Sequence, residues 1–189
     1  MTLTLLIVGK QAQHNRLCNS LVIAVKKYAL EKTLWSTADF ESMGWHDSVI
    51  YGLSLTSDFD TKESELMLDI DYIFQWNNPE PPTTHYTFWV APCTLVFKNV
   101  LNIHFEMETS LVLSPEMEIS DINRLEEIDR GEAFPRATKW QVELQNGDLF
   151  FEADGFEQYV RQLPSYSEGQ RLSLTVRGGI SFEKVQATR

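Results

Sequence analysis

An alternation of apolar and polar side chains is the feature that most restricts what this chain can fold into. It runs from Ser48 to Thr56 and returns from Glu65 to Phe74. Successive side chains of a β-strand point to opposite faces of a sheet, so a period of two predicts strands that are apolar on one face and polar on the other. The polar residues 57–64 between the two runs predict a hairpin turn.

Further strands are predicted on both sides of a second turn. Residues 88–97 and 101–107 are apolar or alternating, and Asn99 lies between them at a turn. Residues 77–82 contain three prolines and therefore predict a loop rather than a strand, because proline cannot donate to the hydrogen bonds of a sheet.

The C-terminal half contains a second hairpin signal. Residues 140–144 and 149–153 alternate on either side of Asn146-Gly147, a dipeptide typical of tight turns. Short apolar runs predict three other strands, a first strand at 3–7, a closing strand at 172–176 and an edge strand at 180–185.

Helical spacing of apolar residues predicts one long helix, from Leu17 to Leu34. A short helix is predicted from Thr37, as its cap, to Met43, with Gly44 ending it. A second short helix is predicted over 156–163, where the apolar side chains again recur at helical spacing before a proline.

These elements predict one α+β domain over residues 1–189. An N-terminal strand and helix segment, residues 1–40, precedes a β-rich body, residues 45–185. We expect an antiparallel sheet, or a partial barrel or sandwich, packed against the N-terminal helix and a short C-terminal helix. A β-sandwich with peripheral helices is the main alternative.

Net charge restricts the partners of this protein. The chain has 27 acidic and 16 basic residues and a net charge of −11, which repels nucleic acid and favours a basic protein partner. Carboxylates are concentrated in residues 114–132, where a three-residue apolar spacing predicts an exposed acidic helix or loop. Glu126, Glu127 and Asp129 are therefore the candidate partner-binding residues.

Cysteine content and hydropathy indicate a cytoplasmic protein. Cys18 and Cys93 are far apart and lie in no cluster of cysteine and histidine, so neither a disulfide framework nor a zinc site is predicted. The apolar start lacks the basic region and cleavage site of a signal peptide. No apolar run approaches the roughly 20 residues that a membrane span needs, so we expect no membrane association.

Candidate catalytic residues lie in two places. Residues 45–48, Trp-His-Asp-Ser, set an imidazole beside a carboxylate, although adjacent strand residues need an irregular backbone to meet. Asp69 and Asp71 are two apart and share a strand face, and the same holds for His104, Glu106 and Glu108. Such clusters are of the kind that binds a divalent cation, but the solvated face of a one-sided sheet is the plainer interpretation.

Other motifs point away from common enzymes and cofactors. The phosphate-binding loop, the Gly-x-Ser-x-Gly elbow, the zinc-protease motif and the dinucleotide fingerprint are all missing from the sequence, so no cofactor and no metal are expected. Trp76, Tyr86, Phe88 and Trp89 surround the proline loop. They are interpreted as core and loop packing, with a binding platform as the alternative.

Several longer segments carry a resemblance: WHDSVIYGL, ELMLDIDYIFQW, FWVAPCTLVFKNV, GFEQYVRQ and RGGISF. Together they resemble an uncharacterised family of small bacterial cytoplasmic proteins, over most of residues 45–182. The His-Asp-Ser start followed by alternating strands is also similar to immunity proteins that neutralise toxins delivered between competing bacteria. Neither resemblance implies a catalytic role for any residue.

The sequence favours a non-catalytic protein-binding function, with an immunity protein against a bacterial toxin as its specific form. The alternative is a metal-assisted or acid-base hydrolase, which requires His46, Asp47, Asp69 and Asp71 to meet in one pocket. A subunit of a larger assembly is a third hypothesis, and it predicts a broad exposed apolar patch.

Overall fold

A computed structural model describes residues 27–58, 60–107, 117–131 and 136–188. Its strands are β1 (Leu34–Ser36), β2 (Val49–Ser57), β3 (Ser64–Asn77), β4 (Thr87–Lys98), β5 (Leu101–Met107), β6 (Met117–Ile128), β7 (Ala137–Leu144), β8 (Gly147–Ala153), β9 (Gly155–Val160) and β10 (Ser165–Ser167). One 3-10 helix (Thr37–Ser42) follows β1, and a single helical turn, α1 (Leu174–Arg177), follows β10.

The prediction of an α+β fold is wrong, because the protein is β-rich. Strands make up 55% of the described residues and helical turns 7%. The long helix predicted from Leu17 to Leu34 does not form where it can be followed, since residues 27–33 are not helical and Leu34 begins β1. Residues 17–26 and the strand predicted at 3–7 lie outside the described residues.

All strand pairs are antiparallel, and they form one continuous sheet in the order β1-β9-β4-β3-β2-β6-β7-β8-β5, with β10 paired to β4. The sheet folds back on itself where β2 pairs with β6 through Val49 and Ile50. Its halves then face each other, and the ring of Phe97 lies 5.4 Å from Trp140 and 4.6 Å from Phe151. The main core fills the space between these halves.

The C-terminal segment covers the second face of β3 and β4. Leu172 packs there against Ile73, Phe88 and Val90. The strand predicted at 172–176 is wrong, because the hydroxyl of Ser173 accepts a hydrogen bond from the N–H of Val176 and starts α1 instead. The edge strand predicted at 180–185 does not form either. As a result, β3 is buried on both of its faces.

Two predicted hairpins are confirmed, β2 with β3 and β7 with β8. The second turn lies one residue earlier than predicted, because Leu144 pairs with Gly147 and leaves Gln145 and Asn146 as the loop. A Cβ on Gly147 would lie 2.1 Å from the carbonyl oxygen of Glu106 in β5, so only glycine allows β5 to approach.

Two strands were predicted as helical or irregular segments. In β6, the buried Ile119 and Ile122 are three residues apart because a β-bulge lies between Ile119 and Asp121. A second bulge follows between Arg124 and Glu126. The apolar residues of this strand therefore recur every three residues, as they would in a helix. In β9, the inward side chains include the polar Gln158, which hides the alternation of residues 156–160.

Candidate functional site

The segment from Trp45 to Ser48 adopts the irregular backbone that its candidate chemistry required. Trp45 is buried and its indole donates a hydrogen bond of 2.8 Å to Gln158 Oε1. Asp47 has a φ of 61°, in the left-handed region, and the N–H of Ser48 donates to the carbonyl of Trp45 at 2.9 Å. This tight turn sends Trp45 into the core and leaves His46 on the surface.

His46 and Asp47 contact each other at that surface. His46 Nε2 lies 3.3 Å from Asp47 Oδ1, and the His46 side chain is 66% exposed. The second oxygen of Asp47 accepts a hydrogen bond of 2.6 Å from the Gln170 amide. Ser48 is buried, so its hydroxyl is not presented to a substrate as a nucleophile.

Asp69 lies in a different setting, inside the protein. Both of its oxygens pair with the guanidinium of Arg177, at 2.8 and 2.7 Å. Arg161 Nη2 lies 2.5 Å from Asp69 Oδ1, and the N–H of Ser181 donates to Oδ2 at 3.0 Å. Both oxygens of the Asp69 carboxylate therefore accept hydrogen bonds, and two arginines balance its charge.

Asp71 belongs to the same buried network. Its Oδ2 accepts hydrogen bonds from the Leu172 N–H at 2.7 Å and the Tyr51 hydroxyl at 3.1 Å, and Arg177 Nε reaches Oδ1 at 3.1 Å. Burial alone would lower the pKa of Arg177, but its hydrogen bonds and charge contacts with the two aspartates raise that pKa above the usual value.

The prediction that Asp69 and Asp71 lie on a solvated face is wrong, because both are 0% exposed. Arg161 and Arg177, which were not predicted as site residues, hold these carboxylates from the C-terminal segment. The hydrolase hypothesis required the two aspartates to share an accessible pocket with His46 and Asp47. Instead, Asp69 and Asp71 contact buried arginines, whereas His46 lies at the surface and Asp47 contacts Gln170. This geometry does not favour the hydrolase hypothesis.

The remaining cluster of predicted metal ligands is an exposed pair. His104 Nε2 lies 2.8 Å from Glu106 Oε1 on β5, with both side chains more than half exposed, and Glu108 is outside the described residues. Within the part of the chain that the structure describes, no group of three or more His, Cys, Asp or Glu side chains is arranged to hold a metal ion.

The three candidate partner-binding residues lie at the end of β6 and just after it. The Glu126 and Glu127 side chains are 59% and 78% exposed. Asp129 accepts a hydrogen bond of 2.9 Å from the N–H of Gly131. Lys139 lies 3.4 Å from Glu126 and Arg136 lies 3.7 Å from Glu127, and all four side chains are exposed, so water and salt screen both ion pairs.

The two edges of the β6 backbone differ in their partners. β7 pairs with one edge along the strand, whereas the other edge pairs with β2 at Met117 and Glu118 and exchanges hydrogen bonds with Asp47 and Ser48 at Ile119. Among the described residues, no strand pairs with this outer edge beyond Ile119. Beyond Ile119 this outer edge faces a cleft of about 350 Å³ toward the 3-10 helix. The cleft is lined by Phe40, Glu41, Met43, Trp45, Asp121, Ile122, Asn123 and Arg124.

The aromatic residues of the proline loop divide into two pairs. Phe88 and Trp89 are buried, as the packing interpretation predicted. Trp76 and Tyr86 are 41% and 47% exposed, and their ring centroids lie 5.9 Å apart. The ring of His46 stacks beside Trp76 at 6.3 Å with an interplanar angle of 20°.

A mostly apolar groove of about 570 Å³ lies between the end of β2 and the start of β5. Leu55 and Leu101 are 56% and 50% exposed there, and Ile103 adjoins them. This groove is a small apolar surface, whereas the third hypothesis, a subunit of a larger assembly, predicts a broad exposed apolar patch.

Comparisons of the chain with protein-family models, with curated proteins and with solved structures find no match. Among the helices of the described residues, none has the length and apolar character needed to cross a membrane. The resemblance to bacterial immunity proteins stays a prediction.

Proposed function

We propose that this protein is a non-catalytic binding protein and that the outer edge of β6 receives a basic protein partner. One observation carries the proposal: among the described residues no strand pairs with the outer edge of β6 beyond Ile119, and exposed carboxylates lie on the same strand. Asp121, Glu126 and Glu127 are exposed, and the cleft toward the 3-10 helix leaves room beside the strand.

Two physical effects would act together at this edge. An extended segment of a partner can add to an open strand through main-chain hydrogen bonds. Carboxylates along the strand attract basic side chains and speed association, and they disfavour acidic partners. Charged residues also protect an edge strand from pairing with copies of itself, so the same side chains supply selectivity.

The specific form that we propose is an immunity protein, whose partner is a basic toxin. The net charge of −11 and the resemblance of the WHDSVIYGL segment support this form. We also propose the cytoplasm as the location, because Cys18 and Cys93 are far apart in the sequence and provide no disulfide framework.

The test begins by finding the partner through this edge. A photo-crosslinking residue at Glu126 should capture one protein in the native cell, whereas the same residue at the exposed Leu174 should not capture it. Mass spectrometry of the adduct identifies the partner. If the partner is a toxin, expression of it should kill cells that lack this protein and spare cells that contain it.

A charge variant then tests the mechanism. Glu126→Gln/Glu127→Gln/Asp129→Asn should slow association with the captured partner by about tenfold or more at low salt, and should flatten its salt dependence. Glu63→Gln/Glu168→Gln/Glu183→Gln removes the same charge from other exposed positions and serves as the matched control. Equal slowing by both variants would show that net charge, and not the β6 edge, attracts the partner.

A further inference from the structure

We propose that the rings of Trp76, Tyr86 and His46 form a site for an arginine side chain of a protein partner. This site does not rest on the acidic edge of β6, because it recognises a planar cation through aromatic faces. The three side chains are 41%, 47% and 66% exposed. Together, Trp76, Tyr86 and His46 form the aromatic patch.

Neighbouring rings hold the aromatic patch in place but leave it exposed. The ring of the buried Phe88 contacts the Trp76 ring edge to face, with the ring centroids 5.0 Å apart. The Tyr86 ring also contacts the Trp76 ring, at an interplanar angle of 76°. These contacts fix the indole ring, so a ligand meets a rigid surface and little side-chain freedom is lost on binding. Exposed Trp and Tyr side chains are also the residue types that dominate binding energy at protein interfaces.

The Asp47 carboxylate places a negative charge beside the rings. Asp47 Oδ1 lies 3.3 Å from His46, and the Gln170 amide holds the other oxygen at 2.6 Å, so the carboxylate has a fixed position at the rim of the aromatic patch. A guanidinium stacks on aromatic faces and donates in-plane hydrogen bonds to carboxylates. The Asp47 side chain is 15% exposed and already contacts His46 and Gln170, so it acts through its negative charge at the edge of the rings. Aromatic faces beside that charge favour a planar cation such as arginine over an anion.

The aromatic patch lies beside β6 in the fold. His46 Nδ1 lies 3.1 Å from the carbonyl oxygen of Ser120 in β6. The aromatic patch therefore adjoins the start of the open edge.

The experiment uses the full chain and short peptides. The five tryptophan indole signals are followed by ¹H–¹⁵N NMR while a peptide of alternating glycine and arginine is added. Two further peptides replace arginine with lysine, of the same charge, or with citrulline, which is planar and neutral. The Trp76 signal, assigned by its loss in Trp76→Leu, should shift most, and the arginine peptide should bind about two- to fivefold more tightly than either analogue.

Variants separate the patch from general charge attraction. Tyr86→Leu should weaken the arginine peptide about two- to fivefold, and Tyr166→Leu, which removes an exposed ring that contacts Trp89, should leave it unchanged. Equal affinity for the citrulline peptide, or unchanged affinity in both Trp76→Leu and Tyr86→Leu, overturns the proposal.

The outcome is distinguishable from failure of the proposed function. Glu126→Gln/Glu127→Gln should not change the shift of the Trp76 signal with the short arginine peptide. If it abolishes that shift, the acidic edge carries the binding and the aromatic patch is not the site. If the peptide binds at Trp76 and the rate of association with the partner is unchanged in the β6 variant, the aromatic patch is supported and the proposed function of β6 fails.

Discussion

Arg177 pairs with both carboxylate oxygens of Asp69, at 2.8 and 2.7 Å, although the two residues are 108 positions apart. Arg177 also reaches Asp71 at 3.1 Å and lies 3.8 Å from the ring centroid of Tyr51. Buried carboxylates are stable only with partners of this kind. One side chain therefore allows β3 to be buried on both faces and fastens the C-terminal segment over the sheet.

Replacement of this arginine should be severe. Arg177→Met leaves two buried carboxylates without their main counter-charge and should lower the free energy of unfolding by about 3–5 kcal/mol. Urea denaturation measures the change. Arg136→Met, at a side chain that is 80% exposed, should cost about 0.5 kcal/mol or less. A loss below about 1 kcal/mol for Arg177→Met would mean that Arg161 alone satisfies the network.

Stability should fall at alkaline pH. Burial raises the pKa of Tyr72 to about 12, and burial followed by the Asp71 charge raises that of Tyr51 to about 12. The unfolded chain loses these protons from about pH 10, whereas the folded protein keeps them to about pH 12. The contribution is therefore complete below pH 10 and is lost as pH rises toward 12.

Urea midpoints measured from neutral pH up to about pH 11 check this sign. Tyr72→Phe removes a group that titrates, so its stability should fall less steeply above pH 10 than that of the unchanged protein. Parallel curves for the two proteins would show that Tyr72 does not contribute to the alkaline loss.

A glycine in the second hairpin should tolerate no side chain. Gly147→Ala places a Cβ 2.1 Å from the Glu106 carbonyl oxygen, so β5 must shift away from β8 at a cost of about 1–3 kcal/mol. Hydrogen exchange of the β5 amides should rise in this variant. Gly169→Ala, where a Cβ would meet nothing within 4 Å, is the control and should leave both stability and exchange unchanged.

The acidic end of β6 should contribute to binding and not to stability. Glu126→Gln/Glu127→Gln breaks exposed ion pairs of 3.4 and 3.7 Å, which water and salt already screen. The free energy of unfolding should change by about 0.5 kcal/mol or less. Calorimetry of this double variant tests this point, and a larger loss would assign these carboxylates a structural role.

Most strands could be predicted from the sequence because their alternation is a local property. Residues 48–56, 65–74 and 140–153 follow it closely and form β2, β3 and the β7–β8 hairpin. The bulges of β6 and the inward Gln158 of β9 break the pattern, so those strands imitate helices or loops. Gln158 lies inside because Trp45, from a distant part of the chain, donates to it.

The candidate site was predictable in part for the same reason. Exposure of Glu126 and Glu127 follows from local charge, and the contact of His46 with Asp47 was foreseen as needing an irregular turn. The open edge of β6 was not foreseen, because it depends on which strand lies beside it. The split of the four aromatics into buried and exposed pairs likewise depends on the folded sheet.

The sequence by itself determined that this chain forms strands, where most of them turn, and that its surface is acidic, because these properties depend on neighbouring residues and on composition. Only the tertiary structure decided that Asp69 and Asp71 are buried, since their partners come from Arg161 and Arg177 in a segment that folds over the second face of β3. A carboxylate at a polar position of an alternating strand is stable in water or beside a buried cation, and a local pattern does not contain the information that distinguishes the two.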